Sequence, residues 1–250
     1  MGDGSLGART ALLGAPYADK PDSCGMGIVT QEQLDEMILW GHSHGMQIAV
    51  HAIGDGMMER VVLAYEKAFT ALPREDHRHG IVHCQITTEK LLNKFRQLGL
   101  HGYIQTIFLD YDSRIVESRV GEERAKDTYR FKTLLHMGCT ISNGSDCPVE
   151  TPDVMKGIQC AVTRTSLDGT RTFLPDEAFD LGEALRSYTS MASWAAFEEE
   201  KKGMLKAGMA ADFAVFSTDL TQVPKEELGK VCVYETFVDG VQVYKRGERL

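Results

Sequence analysis

Residues 46–55, MQIAVHAIGD, followed by residues 56–72, GMMERVVLAYEKAFTAL, decide the fold. The first stretch is a short apolar run that stops at Gly54 and Asp55, where turn chemistry takes over. The second places Val61, Val62, Tyr65, Ala68 and Phe69 on one face of a 3.6-residue period. A strand therefore runs into a helix, and the same order recurs three times. GIVHCQ (80–85) precedes a helical pattern over 88–98, HGYIQTIF (101–108) precedes helical stretches near 113–120 and 126–137, and CTISNGSDCP (139–148) precedes one over 152–165. Four strand-helix units in series predict an α/β fold with a parallel sheet, because parallel neighbours need a long crossover and a helix supplies it. Strands that are apolar throughout need both faces covered, which a doubly wound sheet or a closed barrel provides.

Upstream of this unit, DGSLGART (3–10) and GAPYADKPDSCGMG (14–27) are dense in Gly, Pro, Asp and Ser and read as a long loop, a length that usually carries a task. Thr30 and Gln33 form a capping pair that opens an amphipathic helix with Leu34, Met37 and Ile38 inward, ending near Gly45. Downstream, one helix is expected over 180–197. The tail then changes character to GMLKAGMAADFAVFSTD (203–219) and VCVYETFVDGVQVYKRG (231–247), with a hairpin turn at Asp239 and Gly240. This organisation divides the chain into a strand-helix domain, 1–199, and a small β segment, 200–250.

With 27 basic and 36 acidic residues the chain carries a net charge of −9, which repels phosphate backbones and anionic lipid, so nucleic acid and membrane are excluded as partners. No apolar run approaches the roughly 18 residues a membrane span needs, and the first ten residues lack a signal pattern. The cytoplasm is the expected compartment. The six cysteines are scattered without a C-x-x-C pair, as reduced and mostly buried residues would be.

In parallel strand-helix architectures, functional groups gather where strands end. His51 closes its strand before the Gly54 turn, His83 closes the next, and Asp146 stands at the same rim in NGSDCP. Two imidazoles and a carboxylate from separate strand ends suit a divalent metal such as zinc. The plainer alternatives are a packed histidine and a turn or helix-capping aspartate, the reading preferred for Asp55. His42, His44, His77, His79, His101 and His136 fall at helix ends or before strands, on the opposite rim, and are expected as surface or capping residues. Cys84 and Cys147 adjoin the ligand candidates, but strand side chains alternate, so both stay outside the metal set.

In these contexts the chain resembles the amidohydrolase superfamily, in particular the amidohydrolase 3 branch that includes N-substituted formamide deformylases. The resemblance runs from DGSLGART through VHAIGD, IVHCQ, YIQT, residues 123–152 and AVTR (161–164) to residues 183–216. It implies strands five to eight, the C-terminal half of a (β/α)8 TIM barrel, with part of a small β-sandwich after residue 200. It implies His51, His83 and Asp146 as metal ligands, zinc as the metal, and Asp146 as the proton-transferring group. The implied reaction is hydrolysis of carbon–nitrogen bonds in small amides or formamides by metal-activated water, with Gln105 and Arg164 as substrate contacts. A deaminase or esterase of the same superfamily, or an inactive metal-free barrel remnant, are the competing readings. Two features depart from the family pattern. The first-strand H-x-H has no counterpart, since His42 and His44 sit at a helix end, and the fourth-strand ligand would lie upstream of Asp3. The chain is therefore expected to be a piece of a longer parent, with open sheet edges through which two copies could pair.

Overall fold

Every strand-helix unit read from the sequence is present in the computed structural model, which describes residues 1–248. In chain order the elements are α1 (Gln31–Ser43), β1 (Ala49–Ala52), α2 (Asp55–Ala71), β2 (Gly80–His83), α3 (Glu89–Gln97), β3 (His101–Ile104), α4 (Leu109–Asp112), α5 (Val116–Val120), α6 (Glu122–Ala125), α7 (Phe131–His136), β4 (Thr140–Asn143), α8 (Val154–Thr163), α9 (Leu181–Tyr188), α10 (Ser190–Ala195), β5 (Phe213–Phe216), β6 (Val233–Val238) and β7 (Val241–Lys245). The first sheet has the order β1-β2-β3-β4. β1 and β2 run parallel with His51 opposite Val82 and Ala52 opposite His83, and β2 and β3 run parallel with Gly80 opposite His101. The chain forms two compact units, one of Met1–Ile104 with Tyr111–Ile141 and one of Gln105–Asp110 with the chain from Ser142 onward.

In the first unit the periodic face of α2 forms the core. Met57, Met58, Val61, Val62, Tyr65 and Ala68 are buried, as their spacing requires, and each large apolar side chain so buried contributes about 1.5–3 kcal/mol. Thr30 caps α1 as expected: its Oγ1 accepts from Gln33 N at 3.3 Å while Gln33 Oε1 accepts from Thr30 N at 2.9 Å. Leu34 and Ile38 turn inward, but Met37, expected inward, is 63% exposed. The buried stripe of this helix is narrower than the run of apolar residues implied.

The histidines of the opposite rim require a larger correction. His42, His77, His79 and His101 are buried rather than on the surface. Two of them, His42 and His77, do cap helices, but those of neighbouring elements. Ile48 N donates to His79 Nδ1 (3.1 Å), so His79 Nε2 carries the proton and donates to His42 Nδ1 (2.9 Å), and His42 Nε2 donates to the carbonyl of Leu72, the C-cap of α2 (2.7 Å). His77 Nδ1 accepts from His79 N (2.9 Å), and its Nε2 donates to the carbonyl of Leu98, the C-cap of α3 (3.1 Å). Backbone groups at the ends of this chain thus fix one neutral tautomer for each ring. His77 also stacks on Phe69, 4.3 Å between ring centroids. His44 behaves as expected, its Nδ1 donating to Trp40 O of its own helix at 2.7 Å.

In the second unit the helix expected over 180–197 is two helices, α9 and α10. Thr189 breaks them with φ −123° and ψ −96°, its hydroxyl donating to Leu185 O at 2.8 Å, a local bond that competes with helical pairing. Thr106 Oγ1 donates to Gly157 O on α8 (2.8 Å), and the Tyr188 hydroxyl lies 2.1 Å from where a Cβ on Gly157 would stand. In the second sheet, β5-β6-β7 is antiparallel. Its hairpin turn has positive φ at both Asp239 (49°) and Gly240 (75°), as a type I′ turn demands.

Burial lowers the pKa of His77, and holds His79 at about 3 and His101 at about 4, below the 6.5 of an exposed imidazole. All three are neutral in both states above pH 7. As pH falls through 6.5 the unfolded chain takes up protons first, so stability drops, for His79 and His101 on towards pH 4 by up to about 1.4 kcal/mol per pH unit each. Urea unfolding midpoints at pH 7.5, 6 and 5 should decline accordingly, and a flat profile would contradict the neutral chain. Separately, Gly157→Ala should destabilise by about 1–3 kcal/mol through overpacking, despite alanine's better helix propensity. Tyr188→Phe in that background should recover part of the loss, since the hydroxyl is the nearest obstacle.

Candidate metal site at the strand ends

Parallel pairing of β1 with β2 brings the ends of both strands together, and with them His51 and His83. Their rings meet edge to face, 4.5 Å between centroids at 76°. His83 is 2% exposed, while the side chain of His51 keeps 17%. At the end of β2 the backbone takes two consecutive left-handed residues, His83 (φ 82°) and Cys84 (φ 53°). Neither is glycine, and each such residue costs on the order of 1–3 kcal/mol, a strain characteristic of functional positions. The Cys84 thiol donates to Ile81 O at 3.2 Å, and burial raises its pKa strongly, so it persists as a neutral thiol.

The long loop before α1 supplies what the sequence reading did not identify. Asp3 is fully buried. Its Oδ1 accepts from His51 Nδ1 (3.0 Å) and Ile53 N (3.2 Å), and its Oδ2 accepts from Leu12 N (2.9 Å) and Gly54 N (3.0 Å). Two glycines permit this approach: a Cβ on Gly2 would stand 2.6 Å from His51 O, and one on Gly54 would stand 2.0 Å from Leu12 O. Asp55, read as a turn residue, is the first residue of α2 and accepts from Gly14 N at 2.9 Å, fastening the far end of the loop. The signal available was an acidic residue flanked by glycines within a long, turn-rich segment.

A second buried carboxylate was also missed. Asp112 Oδ2 accepts the Tyr129 hydroxyl at 2.6 Å, and Tyr129 N donates to Gln85 O at 2.6 Å, two residues beyond His83.

The remaining candidates belong to the second unit. Asp146 follows β4, is exposed, and adopts φ 54°, a left-handed conformation that aspartate tolerates better than most residues. The preceding segment is pinned by Asn143, whose Oδ1 accepts from Thr106 N (3.1 Å) and whose Nδ2 donates to Thr106 Oγ1 (2.8 Å). Gln105 is buried at the start of the 3-10 turn 106–108. Arg164 is the left-handed C-cap of α8 (φ 55°) and is 1% exposed. Its Nε donates to Phe173 O at 3.1 Å, with the guanidinium carbon 6.0 Å from the Phe173 ring centroid. Among the described residues, no three His, Cys, Asp or Glu side chains converge into a group that could hold a metal ion. His51 and His83 are nevertheless two imidazoles in contact, one of them backed by a carboxylate, the kind of partner that metal-bound histidines usually have.

The Amidohydrolase family profile matches residues 1–244. The chain is 33% identical over 247 residues to YtcJ of Bacillus subtilis, a protein assigned to the amidohydrolases, covering 98% of this chain and 46% of that one. It is 24% identical over 226 residues to the N-substituted formamide deformylase of Arthrobacter pascens, covering 89% and 41%. Among solved structures, an uncharacterized metal-dependent hydrolase from Pyrococcus furiosus superposes with a TM-score of 0.73 at 33% identity, over 84% of this chain and 41% of that one. The chain spans less than half the length of these relatives. With parallel strand-helix units, paired strand-end histidines and a family match along nearly its whole length, the chain belongs to the amidohydrolase family.

Proposed function

We propose that the protein to which this chain belongs hydrolyses carbon–nitrogen bonds of small amides or formamides. In this reading residues 1–199 are strands five to eight of a (β/α)8 barrel, and residues 200–250, of which the last two lie outside the described residues, are part of its accompanying β-sandwich. The observation that carries the reading is the contact of His51 and His83 at the ends of neighbouring parallel strands, where barrel enzymes keep their chemistry. The similarity to a relative named for formamide deformylation supports the substrate class. The free state of all six cysteines accords with a reducing cytoplasm.

His51 and His83 would hold a divalent metal, zinc being the ion best suited to imidazole and carboxylate together. Such an ion, when bound, polarises a carbonyl and lowers the pKa of water to about 7. Asp146 would be the proton-transferring group, its carboxylate accepting a proton from the attacking water and passing it to the leaving nitrogen, the sequence a general base turned acid must follow. The left-handed backbone at His83 and Cys84 helps set the direction of the second imidazole. Gln105 and Arg164 contribute to substrate placement.

Zinc titration of the purified chain, followed by calorimetry and elemental analysis, tests this reading. Wild type should bind one zinc, and His51→Ala and His83→Ala should each weaken binding at least tenfold. Absence of zinc binding by wild type, or unchanged binding by both variants, would overturn it.

A further inference from the structure

We infer that Asp3 is the positioning residue for His51: it selects the ring tautomer whose Nε2 lone pair is left to bind a ligand, and it clamps the loop before α1 against the end of β1. The inference rests on the reading above in which His51 is a metal ligand. Its grounds are geometric. All four contacts of the Asp3 carboxylate are with donors, one imidazole N–H and three backbone N–H groups, so both oxygens serve only as acceptors. A carboxylate can only accept from His51 Nδ1, so Nδ1 carries the proton and the neutral ring has its lone pair at Nε2. The arrangement is rigid, because the carboxylate is fully buried and because the donors come from three directions: the loop at Leu12, the turn at Ile53 and Gly54, and the β1 side chain itself.

Asp3 also joins two segments far apart in sequence. Leu12 O accepts from Met57 N at 3.0 Å and Gly2 N donates to His51 O at 3.0 Å, so the loop is bonded to the chain on either side of the carboxylate. A displaced Asp3 would release the loop and the imidazole together. An asparagine at this place keeps the shape but not the chemistry. Its carbonyl oxygen satisfies one pair of donors, while its NH2 group is turned against the other pair, donor to donor.

The test is nitrogen-15 NMR of the histidine side chains in the metal-free chain, at pH 7.5. His51 should show a protonated Nδ1 and an unprotonated Nε2. In Asp3→Asn the ring should shift towards the Nε2-protonated form that imidazole prefers in water, while His79 on the opposite rim keeps its resonances and so reports an intact fold. Zinc affinity should fall about 10- to 100-fold in the same variant, as it does when outer partners of metal-bound histidines are removed. A wild-type His51 protonated at Nε2, or a tautomer unchanged in a folded Asp3→Asn, overturns the inference. Should Asp3→Asn fail to fold, the wild-type tautomer decides alone. A correct, Asp3-dependent tautomer in a chain that binds no zinc would refute the metal reading of the previous section while leaving the tautomer assignment standing.

Discussion

The carboxylate of Asp3 is the contact on which the strand-end region of the first unit depends. A fully buried charge is tolerated only where its hydrogen-bonding capacity is met, and here four N–H groups meet it. The consequence spreads outward. The donors on Ile53 and Gly54 set the path from β1 into α2, the donor on Leu12 holds the loop, and the imidazole of His51 is turned towards His83. Glycines at 2 and 54 are needed because the carboxylate draws backbone within distances that no Cβ could share.

The opposite rim of the sheet is held by a different kind of interaction. There, neutral imidazoles form a relay from Ile48 through His79 and His42 to the end of α2, while His77 reaches the end of α3. Helix C-termini present unsatisfied carbonyls, and these rings satisfy them without importing a charge. The two rims thus divide the work: one gathers an anion and imidazoles around a strand end, and the other seals helix ends with groups that lose their bonding pattern when protonated.

Left-handed backbone recurs where function was sought. His83, Asp146 and Arg164, three of the five candidate site residues, have positive φ. Such conformations are paid for by the surrounding structure, and at His83 the surroundings include the buried Gln85 and Asp112 with Tyr129. The strain belongs to tertiary packing. Nothing in the string IVHCQ distinguishes it from a strand that simply ends.

The sequence by itself determined the strand-helix order, the faces of the long helices and the pairing of His51 with His83, because hydrophobic periodicity and strand-end position are local properties that fold class converts directly into place. It also determined the caps at Thr30 and the Asp239 hairpin, whose chemistry lies within a few residues. Tertiary structure alone decided the role of Asp3, 48 residues from His51 in the chain, and the burial of His42, His77, His79 and His101, since a polar side chain looks the same in sequence whether water or a distant backbone carbonyl answers it. It likewise decided the break at Thr189 and the exposure of Met37. The reason is the same in each case: a local pattern states what a residue can bond or bury, and only the packed chain supplies the partner.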